Sequence, residues 1–212
     1  VGKVQDGAHW QALAVRMGKQ LIASMEATRL ERQLGYVPAS LALADYDPVA
    51  TANAISLMGI PPGLDRAALE HTFDQFLEGW RARCAGKVEW ANYTPYEIRI
   101  IGALLRLGRR KEALEVLRFE LSDRRPRAWN QWPEIAWHDR RAAGHVGDIP
   151  HTWISAEYAL AVTALFAYER QPDGVLVLAA GVAPEWIAGD GIRVTRLPRR
   201  HGEISYSLRR LE

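Results

Sequence analysis

The 212 residues are 48% hydrophobic and 25% charged, an ordinary globular composition long enough for one large domain, or one domain with an appendage. Basic and acidic residues number 27 and 25, a net charge of +2, so no strong field selects nucleic acid or anionic lipid as a partner. The single cysteine, Cys84, excludes an internal disulfide, no apolar run reaches the ~18 residues of a membrane span, and no signal peptide is visible.

Apolar residues Trp10, Leu13, Ala14, Met17, Leu21, Ile22 and Met25 recur at helical spacing and predict a long helix over 8–32, striped on one face. Asp47 before Pro48 reads as an N-cap with proline at the first helical position, opening a helix over 47–58 that stops at Gly59. Asp65 can cap a striped helix over 65–83, carried by Leu69, Phe73, Phe76, Leu77 and Trp80. Thr94-Pro95-Tyr96-Glu97 has the form of a capping box and opens a helix over 94–107 that is apolar nearly all round. Gly108 ends it, a striped helix follows over 109–122, and an almost wholly apolar one over 153–168.

Striped helices (8–32, 65–83, 109–122) therefore alternate with all-apolar ones (47–58, 94–107, 153–168). A striped helix faces water on one side, and an all-apolar helix is buried on every side. The alternation predicts a mainly α fold, a partial (α/α) toroid of inner and outer helices over 1–170, equal to three of six hairpins. Beyond Pro172 the runs V-L-V-L-A-A, I-R-V-T-R-L and E-I-S-Y-S-L predict three short strands, a small antiparallel β appendage over 171–212 packed on the helices. With Val1 as its first residue, the chain is expected to be the C-terminal half of a larger ring, whose upstream polypeptide is then its first partner.

Residues 129–153 form a long irregular connection holding four of the eight tryptophans: Trp129, Trp132, Trp137 and Trp153. A structureless loop of this length is usually functional or disordered, and this one is too aromatic for disorder. Indole rings offer broad apolar faces on which a sugar ring can stack. Plugging the gap between helix ends is the plainer role for each tryptophan alone, and it is the cluster together with Glu134 that points to a site. Glu134 among them, flanked by Trp132, Pro133 and Ile135, is a candidate general base whose pKa burial would raise. Its alternative is a surface carboxylate paired with an arginine of 124–125 or 140–141.

An apolar inner helix, a striped outer helix, a Trp-rich loop bearing a glutamate, then T-W opening another inner helix: this order resembles the last hairpins of the six-hairpin glycosidases. These (α/α)6 toroid enzymes include glucoamylases, α-L-rhamnosidases and disaccharide phosphorylases. In glucoamylases a catalytic-base glutamate lies a similar distance before a T-W-S-Y helix start, and here Glu134 stands 18 positions before Thr152 in T-W-I-S. The tail P-R-R-H-G-E-I-S fits the P-x-x-x-G-x-[IV]-S pattern common after the toroid in rhamnosidase-like proteins. The resemblance covers roughly residues 47 to 208 and implies a carbohydrate ligand, glycoside hydrolysis and no cofactor.

Glycoside hydrolysis uses two carboxylates on opposite faces of the sugar. Beside Glu134, Asp148 is the second candidate, with a turn or capping role as its alternative. Trp90, Tyr93, Tyr96, His151 and Asp45 are candidate substrate-binding residues, together with the loop tryptophans. The proton donor of many such enzymes lies in an earlier hairpin, so half a ring supplies half a site. A non-catalytic glycan-binding or scaffolding helical domain is the competing function. His145, Asp148 and His151 are spaced three apart, but Gly147 and Pro150 break the helix that would align them as metal ligands, so no metal site is assigned.

Overall fold

The computed structural model describes residues 4–141, 149–171 and 173–211. The chain is mainly helical, with small antiparallel sheets. Its helices are α1 (Val4–Glu31), α2 (Pro48–Met58), α3 (Arg66–Cys84), α4 (Ile98–Arg106), α5 (Arg110–Ser122) and α6 (Thr152–Phe166). Both aspartate caps form: Asp47 accepts from Val49 N and Ala50 N, and Asp65 from Ala67 N and Ala68 N, filling donors that a helix start leaves open. Gly59 (φ 79°) and Gly108 (φ 78°) take the left-handed backbone that stops α2 and α4. The capping box is half made. Thr94 accepts from Tyr96 N, opening a 3₁₀ turn (Pro95–Glu97), but the Glu97 carboxylate turns away to Arg83.

Helices α2, α4 and α6 lie side by side in one direction, with α4 in the middle. Tyr96 meets His151 where α4 and α6 begin, Arg99 pairs with Glu157 a turn later, and Arg106 covers Tyr168 where they end. On the other flank, the Ser56 hydroxyl donates to Arg99 O, and Gly102 is free of a side chain where that hydroxyl lies. Helices α3 and α5 run the opposite way behind this row. Arg81 and Glu115 join them, and Arg83 near the end of α3 reaches Glu97 at the start of α4. Phe73, Leu77, Ile100, Ile101, Leu104, Val116 and Ile154 fill the core between the two layers.

The expectation that all-apolar helices are sealed on every side holds for α4 alone. Its apolar residues are fully buried, and only Arg99 and Arg106 are partly exposed. Helix α2 leaves Leu57 and Met58 exposed, and α6 leaves Trp153 and Leu160 exposed at 62% and 52%. The α1 stripe is also largely uncovered: Trp10, Met17 and Leu21 are 63%, 59% and 54% exposed. Only its last turns dock, through Arg29 to Asp65 at 2.7 Å, leaving an apolar groove of about 640 Å³ between α1 and α2.

The segment predicted to end the last helix at Tyr168 instead becomes a strand. β3 (Ala167–Glu169) pairs antiparallel with β4 (Leu176–Leu178), after β1 (Asn92–Tyr93) with β2 (Ala136–Trp137), and before the hairpin β5 (Ile192–Arg199) and β6 (Gly202–Leu208). The physical cause is backbone satisfaction: Ala179 N and Gly181 N take the carbonyls of Phe166 and Leu165, drawing the chain out of its helix. The hairpin leans on the same place, with Tyr206 donating to Phe166 O at 2.6 Å.

Candidate functional site

The loop after α5 is laid across the start of α4 by backbone pairing. Strands β1 and β2 align Tyr93 with Ala136, the Thr94 hydroxyl donates to Glu134 O at 3.0 Å, and His151 N donates to Trp132 O at 3.1 Å. These bonds bring Glu134, His151 and Trp153 around Tyr96, at the mouth where α4 and α6 begin side by side.

Tyr96 is the hub. Its hydroxyl shares a 2.8 Å hydrogen bond with His151 Nε2, and the His151 and Trp153 rings stand edge-on to it at 5.6 and 6.0 Å. The Arg99 guanidinium lies 4.3 Å from the tyrosine ring centre and donates to Glu157 at 3.0 Å, a pair with both side chains close to nine-tenths buried. Burial pushes the Tyr96 hydroxyl pKa up, Arg99 pulls it down, and the carboxylates of Glu134 and Glu157 push it up again. Two carboxylates thus act on one hydroxyl. Glu157 is paired with Arg99, and Glu134 is half-buried on the loop.

Several candidates are placed elsewhere. Trp132 is buried, its Nε1 donates to Glu120 O at 3.0 Å and its ring packs on Tyr158, so it fills the core and does not desolvate Glu134 from the loop side. Tyr93 is also buried, with its hydroxyl donating to Asp123 at 2.7 Å and its ring under Arg83, which removes it from a ligand surface. Trp90 stacks on His138 at 4.6 Å, beyond β1 and away from Tyr96. Trp137 pairs with Asn92 and lines a separate cleft of about 280 Å³ with Pro126, Pro133 and Ile149. Trp129 projects into solvent from a 3₁₀ turn. Asp45 closes a turn by accepting from Ser40 N at 3.0 Å. His145 and Asp148, and with them the metal question and the second candidate acid, lie outside the described residues.

Two charges missed in the sequence are Arg99 and Glu157. The signal was there: each is a lone charge in an otherwise apolar helix turn, which must be paired or face an open space. A third is Glu120, fully buried beneath Trp132. Its carboxyl is driven well above the usual carboxylate range by burial first and by the nearby Glu97 next, against the pull of Arg83.

Comparison with protein-family models, with curated proteins and with solved structures gives no match to this chain.

Proposed function

We propose that this is a carbohydrate-active protein of six-hairpin glycosidase type, in which the mouth around Tyr96 receives a sugar and Glu134 is its general base. One observation carries the reading. An exposed indole (Trp153), a tyrosine–histidine pair (Tyr96 and His151) and a half-buried carboxylate (Glu134) converge at the start of two parallel apolar helices. An apolar stacking face beside a few oriented polar groups is the arrangement that suits a sugar ring. On this reading the row α2, α4 and α6 is an arc of the inner wall of a toroid and α3 and α5 belong to its outer wall. The open sides of α2 and α6 are then where further helices of the same polypeptide join.

Hydrolysis needs a second carboxylate. Among the described residues Glu157 is the other acid acting on Tyr96, and it is taken up by its ion pair with Arg99. That observation favours a second reading, in which the mouth binds glycans without cleaving them. A screen of aryl glycosides and oligosaccharides with the full-length protein separates the two. The enzymatic reading expects turnover that Glu134→Gln abolishes. Equal turnover by the variant removes Glu134 from catalysis, and saccharide binding without turnover establishes the binding module.

A further inference from the structure

A second cleft, independent of the sugar reading, lies lower on the row, where α4 and α6 end under the β5–β6 hairpin. It encloses about 210 Å³, against the ~10–15 Å³ that admits one water. Its floor is the only polar stripe of α4, Arg99, Gly102 and Arg106 at spacings of three and four, and Arg199 and Arg200 of the hairpin close its other side. An adjoining recess shares Arg106 and Tyr168 and adds Arg66 and Arg170.

The charges around it do not balance. Arg99 is matched by Glu157, Arg66 by Glu70 and Arg170 by Asp173. Arg106 has no carboxylate partner among the described residues. One of its five N–H donors reaches its own helix at Gly102 O, and its plane lies 4.7 Å from the Tyr168 ring centre. Arg199 reaches Thr163 O at 3.4 Å, while its buried Nε has no hydrogen-bond partner among the described residues. Desolvation pulls the Arg106 pKa down, the sign of a cation whose hydration is not replaced. The other carboxylate among the described lining residues, Glu169, accepts from Arg200 N at 2.9 Å.

A half-buried guanidinium without a counter-charge is costly, and its planar fork matches an oxyanion held by two parallel hydrogen bonds. We propose that this cleft binds a compact oxyanion, the carboxylate or phosphate group of a small molecule, between Arg106 and Arg199. The absence of a side chain at Gly102 leaves room for the Ser56 hydroxyl on the floor beside Arg106, and the Tyr168 ring backs the Arg106 plane.

The test is calorimetric titration of the whole protein with sodium phosphate and sodium succinate, each against sodium chloride at matched ionic strength. Saturable binding of either oxyanion and none of chloride is expected. Binding of phosphate that tightens as pH rises through its second ionisation, near neutral pH, identifies a phosphoryl ligand, and tighter succinate binding that is flat over that range identifies a carboxylate. Arg106→Gln and, on the hairpin outside the helical core, Arg199→Gln each weaken binding roughly tenfold, the loss of one charge-assisted contact. Arg170→Gln, whose charge Asp173 already matches, leaves it within about twofold. Responses equal to chloride, or unchanged binding by Arg199→Gln, overturn the proposal whether or not Arg106→Gln folds.

Discussion

Helices α4 and α6 are both mostly apolar in sequence and meet opposite fates in the fold. Every apolar residue of α4 is buried, because α2, α5 and α6 cover three of its sides and its own arginines occupy the fourth. Helix α6 has α4 on one flank only, and its Trp153 and Leu160 stay in water. The difference teaches that apolar character reports what a helix can bury. What it does bury depends on which neighbours the chain brings alongside. It also separates two kinds of residue: those in α4 hold the fold, and the uncovered ones of α6 are available to a ligand or to another helix.

The comparison breaks most readily at its largest effect. Leu104→Ala in α4 removes fully buried methyl groups and should cost ~2–5 kcal/mol in urea unfolding, whereas Leu160→Ala in α6 should fall within ~0.5 kcal/mol. Equal costs would mean the two helices are buried alike.

The next effect lies behind α4, where α5 holds Glu120. Its folded pKa is raised above the unfolded value of ~4.3, so its contribution to stability is fully present below that pH and is lost as pH rises toward the folded pKa. Glu120→Gln should match wild type near pH 4 and exceed it by ~1–3 kcal/mol at pH 8, the cost of an unsatisfied buried group. A wild-type stability that climbs from pH 4.5 to pH 8 with the same slope in both proteins would contradict the assignment.

At the mouth the effects should appear in binding and leave the fold alone. Trp153→Ala should weaken saccharide binding roughly tenfold with little change in stability, because most of the ring faces water. The smallest effect is Tyr96→Phe, which removes the hydrogen bond shared with His151 and should cost ~0.5–1.5 kcal/mol in unfolding experiments.

Much of the helical plan was legible because it is local. Asp47, Asp65, Gly59 and Gly108 carry their own start and stop chemistry within a few residues. Two of the three striped helices, α3 and α5, lie behind the row of apolar ones, while the striped α1 lies beside α2 with most of its stripe uncovered. What stayed hidden was long-range. Nothing near Tyr168 announces that residues 176–181 will take its neighbours' backbone groups, and nothing near Trp132 says that its indole will reach Glu120 O. Of the candidate site, Glu134, Tyr96, His151 and Trp153 converge, but indole and phenol rings look the same in sequence whether they line a surface or fill a gap, and Trp132 and Tyr93 prove to fill the core. Arg99 and Glu157 were passed over because the apolar run around them dominates the pattern.

The mouth itself is tested most directly by titrating the full-length protein with a panel of neutral oligosaccharides, in parallel with Trp153→Ala and Trp129→Ala. Saturable binding that Trp129→Ala keeps and Trp153→Ala loses is the predicted result, since only Trp153 of this pair stands beside Tyr96. Undiminished binding by Trp153→Ala, or no saccharide bound by the wild-type protein, would contradict it.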